Sequence, residues 1–170
     1  MFHKQFDVLL SRMARSEVAV AADLVGCNAA EIAAIESKYK IQIPSIYRRY
    51  LEIMGHKSGR LFTSDHAAAF YPYVLNLTAD FRTEMRDLNP PPSFALPGDA
   101  LIICCRLGEQ FEFIRCNSPD ESIVYYFNSW NWDIVESTES IIAWLDRWCC
   151  AAEEAIASGY YKASPNGTAP

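Results

Sequence analysis

Apolar residues recur at helical spacing through the first half of the chain and alternate in the manner of strands later on, and the change follows three consecutive prolines at 90 to 92. Phe6, Leu9, Leu10, Met13 and Val20 predict a first helix from Phe2 to about Leu24, weakened by the β-branched residues Val18 and Val20. Asn28 then reads as a helix cap with Glu31 as its capping-box partner, and Ile32, Ile35 and Tyr39 supply one apolar stripe. Pro44 suits the first turn of another helix, because its missing N–H would have no intrahelical partner there, and it pushes Ile43 towards an extended conformation. In that helix Tyr47, Tyr50, Leu51 and Met54 share a stripe, Arg48, Arg49 and Glu52 face away, and Gly55 reads as a C-cap.

Gly59 to Thr63 reads as a short strand, and the aromatic, Ala-rich stretch from Ser64 to Tyr73 has no dominant period. Phe81, Met85 and Leu88 mark a short helix stopped by Asn89 and the prolines. Leu101 to Leu107 is a dense apolar strand, Gly108-Glu109 a turn, and Phe111, Phe113 and Ile114 belong to a second strand, so the two predict a hairpin. Ser118-Pro119-Asp120-Glu121 reads as the next turn, Ile123 to Phe127 as the next strand and Trp132 to Val135 as a last short one. Thr138 is the expected cap of a final helix that buries Ile141, Ile142, Leu145 and Trp148 and turns Glu139, Asp146 and Arg147 outward. Together these predict an α+β fold: a largely antiparallel sheet of about five or six strands flanked by N-terminal helices and a C-terminal helix. A single domain is expected over residues 1–157, with a flexible tail over 158–170, where Gly, Ser, Pro and Asn dominate.

The two-helix segment has the order Glu31-Ile32, Ile35-Glu36, Tyr39, Ile41, Ile43-Pro44, Tyr47, Leu51 and Gly55. It resembles the SUKH superfamily, and the likeness continues through Gly59-Arg60-Leu61-Phe62, the strand from Ala100 to Cys105 and the Val124-Tyr125-Tyr126-Phe127 run. The resemblance implies a binding protein rather than a chemistry. Members are mostly bacterial immunity proteins that neutralise a cognate toxin by binding it, with the fungal Smi/Knr cell-wall regulators as relatives, and no catalytic residues come with the fold. A toxin domain encoded nearby is the implied partner. The alternative is a regulatory or scaffolding module that binds proteins without neutralising them.

A net charge of -6 changes the choice of partner. It disfavours a general nucleic-acid binder, since phosphate contacts need a basic face, and it suits a partner with a basic surface. No apolar run reaches the roughly 18 residues of a membrane span, Lys4, Asp7 and Arg12 interrupt the start, and a secretory cleavage pattern is missing. A cytoplasmic protein with no membrane partner is expected, and its oligomeric state is not legible. The six cysteines include the adjacent pairs Cys104-Cys105 and Cys149-Cys150 but no C-x-x-C. Neighbours on a strand point to opposite faces, so buried, reduced thiols are expected. His3, His56 and His66 show no ligand spacing. Neither a metal nor a cofactor is expected.

No enzyme constellation stands out either. Ser64-Asp65-His66 are the residue types of a catalytic triad, but sequence neighbours cannot each take the direction a triad needs. Gly55-His-Lys-Ser-Gly59 is too short for a phosphate loop and follows a helix, so it reads as a cap and turn. Glu109 with Glu112, and Asp120 with Glu121, read as solvated charges on turns or strand edges. The candidate partner-binding residues are Asn128, Trp130, Trp132, Asp133 and Glu136, after a strand, with Glu109, Asp120 and Glu121 on nearby turns. The two Trp either anchor a partner or seal the sheet, and the acidic residues either form one negative rim or are ordinary surface charges.

Overall fold

The computed structural model describes residues 2–90, 92, 95–117, 123–128 and 133–162. The chain runs through α1 (Phe2–Arg15), β1 (Leu24–Val25), α2 (Ala29–Tyr39), α3 (Ser45–Met54), β2 (Lys57–Ser58), β3 (Ala67–Ala68) and α4 (Tyr73–Asp87). There follow β4 (Ala100–Arg106), β5 (Gln110–Arg115), β6 (Ile123–Asn128), β7 (Asp133–Ser140) and α5 (Ile141–Ala157). β1 and β2 form a small antiparallel pair, and β3 to β7 form a five-stranded antiparallel sheet in chain order. The architecture is α+β as expected.

Several local expectations are corrected. α1 ends at Arg15, where Glu17 takes a left-handed φ of 59° and the chain turns before Val18. Gly59 to Thr63 is a turn rather than a strand, because Gly59 itself has φ +64°. The strand lies just before it, at Lys57–Ser58, inside the segment read as cap and turn. α4 starts at Tyr73, well before Phe81. The last strand is long, Asp133–Ser140, and it carries Thr138, so the cap of α5 is Ser140, whose hydroxyl accepts from the Ala143 N–H at 3.2 Å. Ser118 to Glu121 and Trp132 lie outside the described residues.

The helical pair follows its sequence closely. Asn28 accepts from the Glu31 N–H and Glu31 from the Asn28 N–H, a complete capping box. Pro44 occupies the cap position of α3, one residue before the helix, and Tyr47, Tyr50, Leu51 and Met54 are all buried. Gly55 ends α3 with an ordinary right-handed backbone, so its role is not conformational freedom. A Cβ there would lie 2.6 Å from the Cys27 sulfur and from the Leu51 carbonyl oxygen, and only glycine allows that approach.

Helices cover both faces of the sheet. On one face α1, α2, α3 and α5 bury Phe6, Ile35, Tyr47, Tyr50 and Trp144 against Leu101, Ile103, Ile114 and Val124. On the other, Phe81 of α4 packs on Ile102, Phe111, Phe113 and Phe127. Cys104 and Cys105 point to opposite faces, as alternation requires. Ile103 and Cys104 share a face because a bulge lies between Ile102 and Cys104, and Thr78 of α4 accepts the Ile102 N–H there at 2.8 Å. Arg12 pairs with Asp146 and Glu153, tying α1 to α5. Past α5, Tyr160–Lys162 form a 3-10 turn, and Tyr161 meets the Thr63 hydroxyl at 2.8 Å beneath the Arg60 guanidinium. Residues up to 162 are thus held against the fold.

Candidate functional site

β5 alternates Phe111, Glu112, Phe113, and its two Phe side chains enter the aromatic layer under α4. Glu112 must then point to the other face, beneath α5. It is buried, which corrects its reading as a solvated edge charge: β5 is a central strand with helices on both sides. α5 meets it with Trp144, Arg147 and Trp148, the i, i+3, i+4 set that shares one stripe of a helix. The Trp144 indole N–H donates to Glu112 Oε2 at 2.8 Å, and the Trp148 N–H to the same oxygen at 3.4 Å. Arg147 Nη2 donates to Oε1 at 2.5 Å.

Arg147 also donates through Nε to Glu139 at 3.1 Å and stands over the Trp148 ring. It is therefore not simply outward. Burial pulls its pKa down, but the bonds to Glu139 and Glu112 outweigh this and raise it above the usual guanidinium value. Both oxygens of the buried carboxylate are satisfied, the condition under which a buried charge is tolerable.

Beside this cluster, between α5 and the sheet, a groove of about 480 Å³ opens. Its floor includes Gln110, Val124 and Tyr126, and its walls Arg106, Glu139, Arg147 and Trp148. Arg106 donates to Gln110 at 2.8 Å across the β4–β5 hairpin, where the two are register partners. Guanidinium, carboxylate, amide and phenol groups on a sheet backed by a packed core suit recognition of polar side chains, with an aromatic wall for contact area.

The residues singled out in the sequence gather only in part. Glu109 is exposed in the β4–β5 turn, where Leu107 and Gly108 have positive φ. Asn128 ends β6 opposite Gln110 on one side and Asp133 on the other, so Glu109, Asn128 and Asp133 share one end of the sheet. Glu136 is three positions along β7, paired in register with Tyr125. Asp120, Glu121, Trp130 and Trp132 lie outside the described residues. The β5–β6 connection that carries Asp120 and Glu121 joins strand ends far from Glu109, between Cys116 and Ile123. Glu112, Arg147, Arg106 and Tyr126 were missed. The available signal was the Trp-x-x-Arg-Trp spacing at 144 to 148 together with apolar residues on both faces of β5.

Burial disfavours the thiolate form of the cysteines. Five of the six are buried, all are free, and burial pushes Cys116 up to about 12 and Cys149 to about 11. Among the described residues one set has metal-ligand proximity, Cys27, Glu31 and His56, and it lies outside the groove. No helix among the described residues is long and apolar enough to cross a membrane.

Compared with known protein families, residues 26–147 match the SMI1 / KNR4 family (SUKH-1), well over half of the chain. No curated protein matches it.

Proposed function

This chain belongs to the SMI1 / KNR4 family (SUKH-1), and from that membership we propose that it is a non-enzymatic immunity protein, which binds a cognate bacterial toxin domain and neutralises it by occlusion. The family supports a toxin-immunity or Smi1-like role in general, and protein–protein interaction as the mode of action. The observation that carries the narrower reading is the groove beside α5. It is an open recess with a mostly apolar lining into which a few polar side chains converge, and it includes Tyr126, Arg147 and Trp148, the residue types that dominate binding hot spots. The overall charge of -6 favours a toxin with a basic surface, such as a nuclease, through fast electrostatic encounter. Glu109, Asn128 and Asp133, at one end of the same sheet, would flank the contact, with Trp130 and Trp132 in the same β6–β7 connection.

The test is co-expression with a candidate toxin domain, sought among the genes adjacent to this one. A 1:1 complex and rescued growth are expected, and Tyr126→Ala should weaken binding by at least about tenfold, the scale of a hot-spot truncation. Capture of several partners without rescue would instead support the regulatory or scaffolding role.

A further inference from the structure

Two glycines bring the start of α2 against the end of α3. A Cβ on Gly26 would lie 1.8 Å from the Glu52 carbonyl oxygen, and one on Gly55 2.6 Å from the Cys27 sulfur. The Cys27 N–H donates to Leu51 and the His56 N–H to Val25, fixing both residues through their backbones. Cys27, Glu31 and His56 consequently converge, with their ligand atoms all within 4.8 Å of one another. Spacing along the chain does not reveal this set, because its third member comes from beyond the next helix.

We propose that Cys27, Glu31 and His56 form a zinc site, with water in the fourth position. Thiolate, imidazole and carboxylate are the donors zinc takes, and tetrahedral zinc holds such donors about 3.4–3.7 Å apart. Reaching that spacing requires side-chain movements on the order of 1 Å. Cys27 is buried while Glu31 and His56 are partly exposed, so the site is anchored on one side and open to solvent on the other. One outer-shell bond exists already, the Asn28 N–H donating to Glu31 Oε2 at 2.8 Å, and the Tyr71 ring packs T-shaped against His56 with centroids 5.2 Å apart. His56 Nε2 lies 2.9 Å from Glu31 Oε2, and burial followed by the Glu31 charge holds the Cys27 thiol up at about 11. Zinc would replace that thiol proton, releasing it to solvent, so affinity should rise with pH. The site is independent of the partner-binding reading.

Chelator-treated protein is titrated with zinc against a chromophoric competitor, and with cobalt to detect a sulfur-to-metal charge-transfer band. One zinc per chain is expected, with at least about tenfold weaker binding in Cys27→Ser and in His56→Gln and unchanged binding in Cys150→Ser. The cobalt band should vanish in Cys27→Ser alone of the two thiol variants. Circular dichroism on each variant separates lost ligation from lost fold, and His56→Gln, at a partly exposed position, keeps the test decisive if Cys27→Ser unfolds. Absence of stoichiometric zinc in the unsubstituted protein, or full retention in folded His56→Gln, would overturn the site.

Discussion

The two faces of the central sheet are built on different principles. Under α4 the layer is aromatic: the Phe81 ring lies 4.7 Å from Phe111 and 5.3 Å from Phe127, both edge-on, and Phe113 stacks on Tyr125. The opposite face encloses a carboxylate, Glu112, and a phenol, Tyr47, whose hydroxyl is buried without a hydrogen-bond partner among the described residues. That face also opens into the groove. A sheet sealed on one side by non-directional contacts can hold polar groups in fixed geometry on the other, and fixed geometry is what recognition needs.

The largest expected effect is on the aromatic face. Phe127→Ala should cost about 3–5 kcal/mol in urea denaturation, since the ring is fully buried and touches both Phe81 and Phe111. A loss below about 1 kcal/mol would mean that this layer is not the stabilising one. Arg147→Ala comes next at about 2 kcal/mol: it leaves Glu112 with its two indole donors but without its ion-pair partner, and Arg147 is half exposed, so the full buried-pair penalty is discounted. Thr78→Val should cost about 1–2 kcal/mol by stranding the Ile102 N–H at the bulge, read by the same denaturation and by faster exchange of that amide. The smallest effect has the opposite sign. Tyr47→Phe removes a hydroxyl that burial has stripped of water, and should leave stability unchanged or raise it by up to about 1 kcal/mol. A clear loss would show that the hydroxyl has a partner, such as a buried water.

The same contrast explains what was legible. Local rules suffice for α2 and α3, because the Asn28–Glu31 box and the Tyr47–Met54 stripe contain their own instructions. The β4–β5 hairpin is likewise written in Gly108 and the flanking apolar runs. Glu112 was not legible, because alternation puts it opposite Phe111 and Phe113 and says nothing of what covers that side. Thr138 and Ser140 are both good caps, and only the pairing of β7 with β6 through Ser140 decides between them. The Cys27, Glu31 and His56 cluster depends on the close approach of two helix ends, which no spacing rule records.

In the proposed function the groove face binds the partner while the α4 face only stabilises. These roles separate in calorimetric titration of the toxin domain proposed as partner into two variants that both remain folded at the assay temperature. One is Tyr126→Ala on the groove floor, and the other is Met85→Ala at the edge of the α4 layer. Binding at least about tenfold weaker is expected for Tyr126→Ala, and unchanged binding for Met85→Ala. The reverse pattern, or equal affinity in both, would contradict that division of roles.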